Sequence, residues 1–322
     1  MNFSATVDAV VQGVLAGDNR SIGRAISAAE RNAGSPEILR ALFGKTGRAR
    51  VIGLTGPPGA GKSILGRRLA QAYRQQGKTV GIVAVDPSSP FSGGAILGDR
   101  IRMAEIYTDP GVFIRSMATR GALGGLARAT SDAVDILDAA GFDVVLIETV
   151  GVGQDEVEVV QAAETTAVVL VPGLGDDIQA IKAGILEIAD VFVVNKADRE
   201  GADRTAAELS MMLDLSSGRG WRPPIVATVA TRGEGTPALV EALESHLRHL
   251  SATGESSERR ARRAHSRVMT LLEERFRRAV EAKAPDPDGL KDAVARVAER
   301  REDPYTAADR LFERVVREGA AR

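Results

Sequence analysis

The stretch "GLTGPPGAGKS" at residues 53–63 decides the fold, because it joins an apolar run to a helix-forming segment through a glycine-rich turn. The defining positions of its pattern, G-x-x-x-x-G-K-[ST], are Gly56, Gly61, Lys62 and Ser63. Backbone N–H groups of such a turn can wrap phosphate groups, and the N-terminus of the following helix adds a favourable dipole. The stretch therefore predicts the phosphate-binding loop of a nucleoside triphosphatase.

The loop pattern predicts roles for individual side chains. We expect Lys62 to neutralise the β- and γ-phosphates and Ser63 to bind Mg²⁺ through its hydroxyl group. The other residues expected to line the nucleotide are Pro58, Gly59, Ala60, Gly61 and Ile64. The alternative is a glycine-rich turn that binds nothing, which the apolar run before the loop and the helical segment after it disfavour.

Seven β-rich runs alternate with helical segments over residues 49–250. The runs are "RVIGLT", "TVGIVAVD", "GVFIRS", "DVVLIET", "TAVVLVP", "DVFVVNK" and "PIVATVA". Several are apolar throughout, as expected for strands that are buried on both faces of a parallel sheet. The alternation predicts an α/β domain with a doubly wound, mostly parallel sheet.

Helical segments flank this domain on both sides. Residues 1–48 place apolar residues at helical spacing, with Ser21 and Ser35 as expected N-caps. Residues 251–322 read as a charged helical arm with an apolar stripe that is too narrow for a core of its own. The stripe consists of Val268, Leu271, Leu272 and Phe276. We therefore expect the arm to contribute to a homodimer.

The composition of the 322-residue chain limits the partners and the chemistry that can be expected. The formal net charge of -1 gives no electrostatic reason for nucleic acid or an anionic membrane as a partner. The absence of cysteine excludes disulfides, thiolate metal sites and cysteine nucleophiles. The first residues lack a basic segment with a long apolar core, and no apolar run reaches the ~18 residues of a membrane span. We therefore predict a cytoplasmic protein.

A second motif, "VFVVNKAD", ends a predicted strand with Asn195, Lys196 and Asp198. This is the N-K-x-D pattern of guanine-reading proteins. The Asp198 carboxylate can accept hydrogen bonds from guanine N1–H and the 2-amino group, donors that adenine lacks there, and the Lys196 stem can cover the ring face. The motif predicts GTP and GDP as nucleotides, against the alternative of a polar strand-to-helix cap. In the segment "TVATRGEG" after the next strand, we expect the backbone N–H of Ala230 to contact the base oxygen.

The segment "FDVVLIETVGVGQDE" places Glu148 at the carboxyl end of a predicted strand and Gly151 three residues later. Many GTPases have Asp-x-x-Gly at this point. The longer Glu148 side chain can reach Mg²⁺ or position the attacking water, and Gly151 can donate its backbone N–H to the γ-phosphate. The alternative is a simple turn after a strand, which the order of the motifs disfavours.

Two aspartates and two arginines are further candidates. Asp86 ends the second predicted strand, at the edge where ligands bind in open α/β sheets, and Asp99 lies in a Gly/Ser/Pro-rich loop. Both are candidate Mg²⁺ ligands, with a turn residue and a helix N-terminal residue as the respective alternatives. Arg115 and Arg120 are either phosphate-facing cations or surface charges, and the sequence does not choose between these roles.

Seven sequence blocks follow one another along nearly the whole chain and carry a family resemblance. They are "GLTGPPGAGKS", "VAVDPSSPFSGGAILGDR", "RSMATRGALGGLA", "IETVGVGQDE", "GDDIQAIKAGILEIAD", "NKAD" and "DPYTAAD". Together they resemble the methylmalonyl-CoA mutase-associated GTPases, which are metallochaperone-like G proteins of the SIMIBI class. Because several blocks are long, the match is far more specific than the phosphate loop alone.

The resemblance implies a homodimeric, Mg²⁺-dependent GTPase that attends an adenosylcobalamin-dependent acyl-CoA mutase. Such a protein gates cofactor delivery to the mutase and protects or reactivates it, and a cobalamin adenosyltransferase is a further implied partner. The resemblance also implies a switch in "PGLGDDIQAIK", where Gln179 and Lys182 relay the partner's presence to the nucleotide and act with Lys62 and Glu148. It does not choose among mutases for methylmalonyl, isobutyryl or hydroxyisobutyryl thioesters. The segment "TVATRGEG" departs from the family's more frequent Ser-Ala pair.

Three alternative functions stay open from the sequence. One is a nickel-delivery GTPase for hydrogenase or urease maturation, which needs soft or imidazole ligands. The histidines, His246, His249 and His265, all lie outside the nucleotide core, and we expect His246 and His249 to be solvated helix residues. A second alternative is a kinase that passes the γ-phosphate to a transport protein, for which no acceptor site is visible. A third is an interaction module that binds nucleotide without turnover.

Overall fold

The computed structural model describes residues 3–31, 35–86, 106–118, 125–149, 162–173, 185–215, 220–282 and 289–319. The chain divides into two compact units, Met1–Arg260 and Ala261–Arg322, and each is described by itself. The helices that precede the sheet belong to the same unit as the sheet. The domain boundaries that the sequence suggests, near residues 48 and 250, stay a prediction.

The first unit is built on one parallel sheet. Its strands are β1 (Arg50–Thr55), β2 (Val80–Asp86), β3 (Val112–Ala118), β4 (Val144–Thr149), β5 (Thr165–Leu170), β6 (Val191–Asn195) and β7 (Ile225–Thr228). They are ordered β3-β2-β4-β1-β5-β6-β7, and every pairing is parallel. The predicted parallel sheet is confirmed, and all seven carboxyl ends lie at one edge of it.

Helices cover both faces of this sheet. The helices of the described residues are α1 (Phe3–Leu15), α2 (Asn19–Arg31), α3 (Ser35–Leu42), α4 (Lys62–Gln75), α5 (Gly125–Ala139), α6 (Ile185–Ile188), α7 (Ala202–Leu215), α8 (Thr236–Thr253), α9 (Glu255–Ala282), α10 (Leu290–Ala298) and α11 (Pro304–Gly319). In β2, Val83 packs with α1–α3 and α5, whereas its neighbour Ile82 packs with α4 and α8. Because successive strand residues point to opposite faces, both must be apolar, which explains the continuous apolar runs.

The N-cap of helix α2 differs from the predicted one. Helix α2 begins at Asn19, and the Asp18 carboxylate accepts the backbone N–H of Ser21 at 2.8 Å. The expectation that Ser21 caps this helix is wrong, because Asp18 is the N-cap and Ser21 lies inside the first turn. Hydrogen bonds from the side chain and backbone of Ser21 lower the pKa of Asp18. Ser35 is the first residue of α3.

The second unit contains most of α9 together with α10 and α11. The rings of Phe276 and Phe312 lie 5.4 Å apart, which joins α9 to α11. The Glu302 carboxylate accepts hydrogen bonds from Arg310 and Arg296, and these bonds lower the pKa of Glu302. The residues of the predicted apolar stripe, Val268, Leu271, Leu272 and Phe276, are exposed. Among the described residues, no helix is both long and apolar enough to cross a membrane.

A polar cluster at the amino-terminal edge of the sheet holds α8 against the strands. His246 of α8 is completely buried, and its Nδ1 lies 2.8 Å from Thr165 Oγ1 at the start of β5. Its Nε2 lies 3.2 Å from a carboxylate oxygen of Asp190, and the Trp221 ring packs 5.1 Å away. The expectation that His246 is a solvated helix residue is therefore wrong. Arg259 closes the cluster with two hydrogen bonds to the Asp190 carboxylate, at 2.8 and 3.0 Å.

We expect the stability of the protein to fall between pH 7 and pH 5 because of His246. Burial lowers the pKa of His246 to about 4, from an ordinary value of 6.5. Below pH 6.5 the unfolded chain therefore binds a proton that the folded chain does not, which removes about 2 kcal/mol of stability by pH 5. Urea unfolding at the two pH values, followed by far-UV circular dichroism, measures this loss.

The matched variants are His246→Gln, which should lack this component of the pH dependence, and His265→Gln at an exposed position, which should retain it. If His246→Gln lost as much stability as the unmodified protein between pH 7 and pH 5, the buried histidine would not be its source.

Candidate nucleotide site

The loop between β1 and α4 begins with a glycine that no other residue can replace without strain. Gly56 has φ +140°, and a Cβ atom at this position would lie 2.1 Å from the backbone oxygen of Val169 on β5. The loop therefore leaves β1 in close contact with the neighbouring strand. Gly61, at φ +91°, then occupies the N-cap of α4. This geometry turns the first amide groups of α4 toward the carboxyl edge of the sheet.

Lys62 and Ser63 follow at the first two positions of α4. Lys62 is buried, and its ammonium group donates hydrogen bonds to the carbonyls of Gly56 and, at 3.0 Å, Pro57. The cation is thus held inside the curve of the loop, where phosphate oxygens are expected. The Ser63 hydroxyl donates a hydrogen bond to the Glu148 carboxylate.

The Ser63–Glu148 contact joins two of the predicted Mg²⁺ ligands. Glu148 is buried near the carboxyl end of β4, and its backbone is in register with Leu54 of β1. A hydroxyl and a carboxylate oxygen are the hard donors that Mg²⁺ prefers, so the pair fits the ion. Asp86 ends β2, which neighbours β4, and its backbone lies at the same edge. The side chain of Asp86 lies outside the described residues, as do Asp99, Gly151, Gln179, Lys182 and Arg120.

Asn195 connects the phosphate loop to the base-reading segments. Its side-chain nitrogen donates to the carbonyl of Ala60 at 2.7 Å. Its side-chain oxygen accepts from the Thr228 hydroxyl at 3.0 Å and from the Ala230 backbone N–H at 3.1 Å. The residue is almost fully buried, so each of these bonds would be costly to leave unmade. One side chain therefore fixes the ends of β6 and β7 against the phosphate loop.

The two residues after Asn195 in the N-K-x-D motif have different environments. Lys196 has φ +57°, a left-handed conformation rare outside glycine, and its ammonium group donates to the Gly59 carbonyl at 2.8 Å. The Asp198 carboxylate is exposed at the end of the turn, and Arg232 approaches it at 3.4 Å. Arg232 is held mainly by Glu234, through hydrogen bonds of 2.6 and 3.2 Å. The predicted contacts of Lys196 and Asp198 with a guanine base stay predictions.

Some residues around this site were not found from the sequence. Thr228 faces Asn195 because the two are in register at the ends of β7 and β6, a relation that aligned strand ends could have suggested. Arg68 of α4 contacts the loop after β7, and no motif indicates it. For Arg115 the sequence left two roles open, a phosphate-facing cation and a surface charge, and its ion pair with Glu30 on α2 disfavours the first.

The strand–loop–helix phosphate site, joined through Asn195 to an N-K-x-D turn, defines a P-loop GTPase. Comparison with known protein families identifies the family within this class: residues 22–285 match the family described as "Methylmalonyl Co-A mutase-associated GTPase MeaB". The chain belongs to this family and is a GTPase.

Individual relatives agree with this assignment. A protein of Pyrococcus horikoshii named "Putative GTPase" is 48% identical over 315 residues, which cover 96% of this chain and 98% of the relative. The "Methylmalonic aciduria type A homolog, mitochondrial" of Mus musculus is 36% identical over 249 residues, or 76% of this chain and 57% of the relative. The crystal structure of an "LAO/AO transport system kinase" shares the fold, with a TM-score of 0.72 at 24% identity over 98% of this chain and 99% of that one.

We expect Gly56→Ala to destabilise the protein by about 3 kcal/mol or more, because the added Cβ must displace the backbone of β5. Gly59→Ala is the matched control. Gly59 also has a positive φ, +76°, but no atom lies within 4 Å of the added Cβ, so only the conformational cost of about 1–2 kcal/mol applies. Urea unfolding of both variants measures the difference. Equal losses of stability would contradict the close approach of Gly56 to Val169.

Proposed function

We propose that this GTPase controls an adenosylcobalamin-dependent acyl-CoA mutase, gating delivery of the cofactor and protecting or reactivating the mutase. The observation that carries the proposal is the family match over residues 22–285, whose description names a mutase as the associated enzyme. The mouse relative, named for methylmalonic aciduria, supports the same class of partner. A cobalamin adenosyltransferase is the second partner that we propose, as the supplier of the cofactor.

Recognition of guanine rests on the turn after β6. We propose that Asp198 accepts hydrogen bonds from guanine N1–H and the 2-amino group while the Lys196 stem covers the ring. Adenine offers neither donor, so the carboxylate would face the lone pair of adenine N1 and gain no hydrogen bond from the wrong base. Ala230 N–H, which now donates to Asn195, lies on the loop that would face the base oxygen.

The phosphate half of the site supplies charge and positioning. Lys62 would hold the β- and γ-phosphates together with the backbone N–H groups of residues 58–64. Ser63 and Glu148 would hold Mg²⁺, whose charge would offset the negative charge of the phosphates, and Asp86 and Asp99 are the further candidate ligands. Glu148 would also orient the attacking water; its position near the carboxyl end of β4, in contact with Ser63, supports this role.

The partner must read the state of the nucleotide. We propose that segments 86–100, 148–156 and 172–182 change arrangement when the γ-phosphate is lost, with Gly151 as the phosphate contact. Gln179 and Lys182 would then transmit the presence of the mutase to the nucleotide. A partner that binds one arrangement better must change the nucleotide affinity, and for affinity this coupling is reciprocal.

We also propose a homodimer. The second unit exposes apolar side chains on α9 and α11, among them Val268, Leu272 and Tyr305. A 62-residue unit with so much exposed apolar surface gains from packing against a second copy.

The experiment that tests the function is a GTPase assay with and without a purified acyl-CoA mutase. We expect the mutase to accelerate GTP hydrolysis, and we expect Lys182→Ala to weaken this acceleration more than it lowers basal turnover. Glu148→Gln is the contrasting variant: it should bind GTP but turn it over slowly both alone and with the mutase.

Two results would contradict the proposal. One is an unchanged hydrolysis rate with the methylmalonyl, isobutyryl and hydroxyisobutyryl mutases alike, under conditions in which the protein hydrolyses GTP. The other is an equal loss of basal and accelerated turnover in Lys182→Ala, which would remove the relay role of this residue.

A further inference from the structure

An arginine on the helix of the phosphate loop holds the loop that follows β7. Arg68 of α4 donates from Nε to the Ala230 carbonyl at 3.0 Å and from Nη2 to the Thr231 carbonyl at 2.7 Å. Its third nitrogen, Nη1, donates to the Gln71 side chain one turn along the same helix, at 3.1 Å. The planar guanidinium group is therefore braced by its own helix and spans two consecutive carbonyls of the loop.

The outer part of this loop is exposed. Thr231, Arg232 and Glu234 are exposed, and the loop is closed by a backbone hydrogen bond of 3.0 Å from Val229 to Glu234. Gly233 passes over the guanidinium group, since a Cβ atom there would lie 3.7 Å from Arg68 Nε. Val229 and Ala230 at the start of the loop are buried, whereas its outer part is exposed, and the two bonds from Arg68 attach Ala230 and Thr231 to α4.

The Ala230 peptide is held from both ends. Its N–H donates to Asn195 at 3.1 Å, and its carbonyl accepts from Arg68. Asn195 lies at the end of β6, whereas Arg68 lies on the helix that begins at the phosphate loop. The position of the loop is therefore set jointly by the base-reading strand and the phosphate-binding helix.

We infer that Arg68 is a positioning residue for nucleobase recognition, which holds the backbone of the 230–231 loop where it would meet the 6-oxo group of a purine. The inference rests on the proposed guanine site. It assigns the discrimination between 6-oxopurines and adenine partly to Arg68, because adenine carries an amino group at this position and cannot accept from an N–H. Asp198 would accept from N1–H and the 2-amino group and not from the 6-oxo group, so the two contributions are separable.

Calorimetric titration with three nucleoside diphosphates separates the contributions of Arg68 and Asp198. The three are GDP, IDP and ADP, and IDP keeps the 6-oxo group of GDP but lacks its 2-amino group. We expect Arg68→Ala to lower the affinities for GDP and IDP by the same factor, about tenfold, and to leave the affinity for ADP unchanged. The ratio of GDP to IDP affinity should therefore stay as in the unmodified protein. Asp198→Asn should instead change that ratio, because it removes the carboxylate that accepts from the 2-amino group.

Two further variants control for a merely structural effect. Arg74→Ala removes an arginine from the same helix, one that pairs with Asp109 at 3.0 Å and does not touch the loop, so it should leave all three affinities unchanged. Arg68→Lys retains the positive charge but can reach one carbonyl only, and a loss of GDP and IDP affinity of about threefold is expected. Arg68→Lys also provides the test if Arg68→Ala does not fold.

The inference is overturned if the unmodified protein prefers GDP to ADP and the Arg68 variants keep that preference in full. It is also overturned if ADP affinity falls by the same factor as GDP affinity, since Arg68 would then act through the phosphate helix and not on the base. If the unmodified protein bound ADP as tightly as GDP, the proposed guanine site itself would fail, and this inference with it.

Discussion

The side-chain amide of Asn195 holds the two halves of the nucleotide site together. It donates to the Ala60 carbonyl in the phosphate loop and accepts from Thr228 and Ala230 beyond the next strand. Because the amide is buried, water cannot replace these bonds, and removing any partner leaves a polar group unsatisfied. Together with the Lys196–Gly59 hydrogen bond, this side chain holds the phosphate loop against the segments that follow β6 and β7.

That arrangement depends in turn on the parallel sheet. Strands β1, β4, β6 and β7 all run in one direction, so the residues that follow them meet at one edge although they are far apart in sequence. Ser63 meets Glu148 there, and Lys196 meets Gly59. At the opposite edge, the cluster around His246 and Asp190 anchors α8 and the start of α9. The nucleotide site thus lies at the carboxyl edge of the sheet and the anchoring cluster at the amino edge, and hydrogen bonds between buried polar groups hold both together.

Much of this was predictable because the relevant signals are local or periodic. Strands buried on both faces must be apolar at every position, and the phosphate-loop and N-K-x-D patterns specify backbone turns at strand ends. The predictions failed where a side chain acts through a distant partner. The helical pattern around His246 predicts a solvated residue, because its partner Thr165 lies in β5 and is distant in sequence. Arg68 was not predicted because its partners lie on a loop about 160 residues away. The metal and switch candidates Asp99, Gly151, Gln179 and Lys182 lie outside the described residues, so their roles stay predictions.

Asn195 joins the phosphate loop and the loop after β7 into one site, and a GDP titration of Asn195→Ala tests this role. We expect the variant to remain folded by circular dichroism and to lose GDP affinity by about a hundredfold or more, since three buried hydrogen bonds are lost together. Thr228→Val removes only one of the three and should cost about fivefold. GDP affinity in folded Asn195→Ala within a factor of about two of the unmodified protein, well under the effect of one hydrogen bond, would contradict the account.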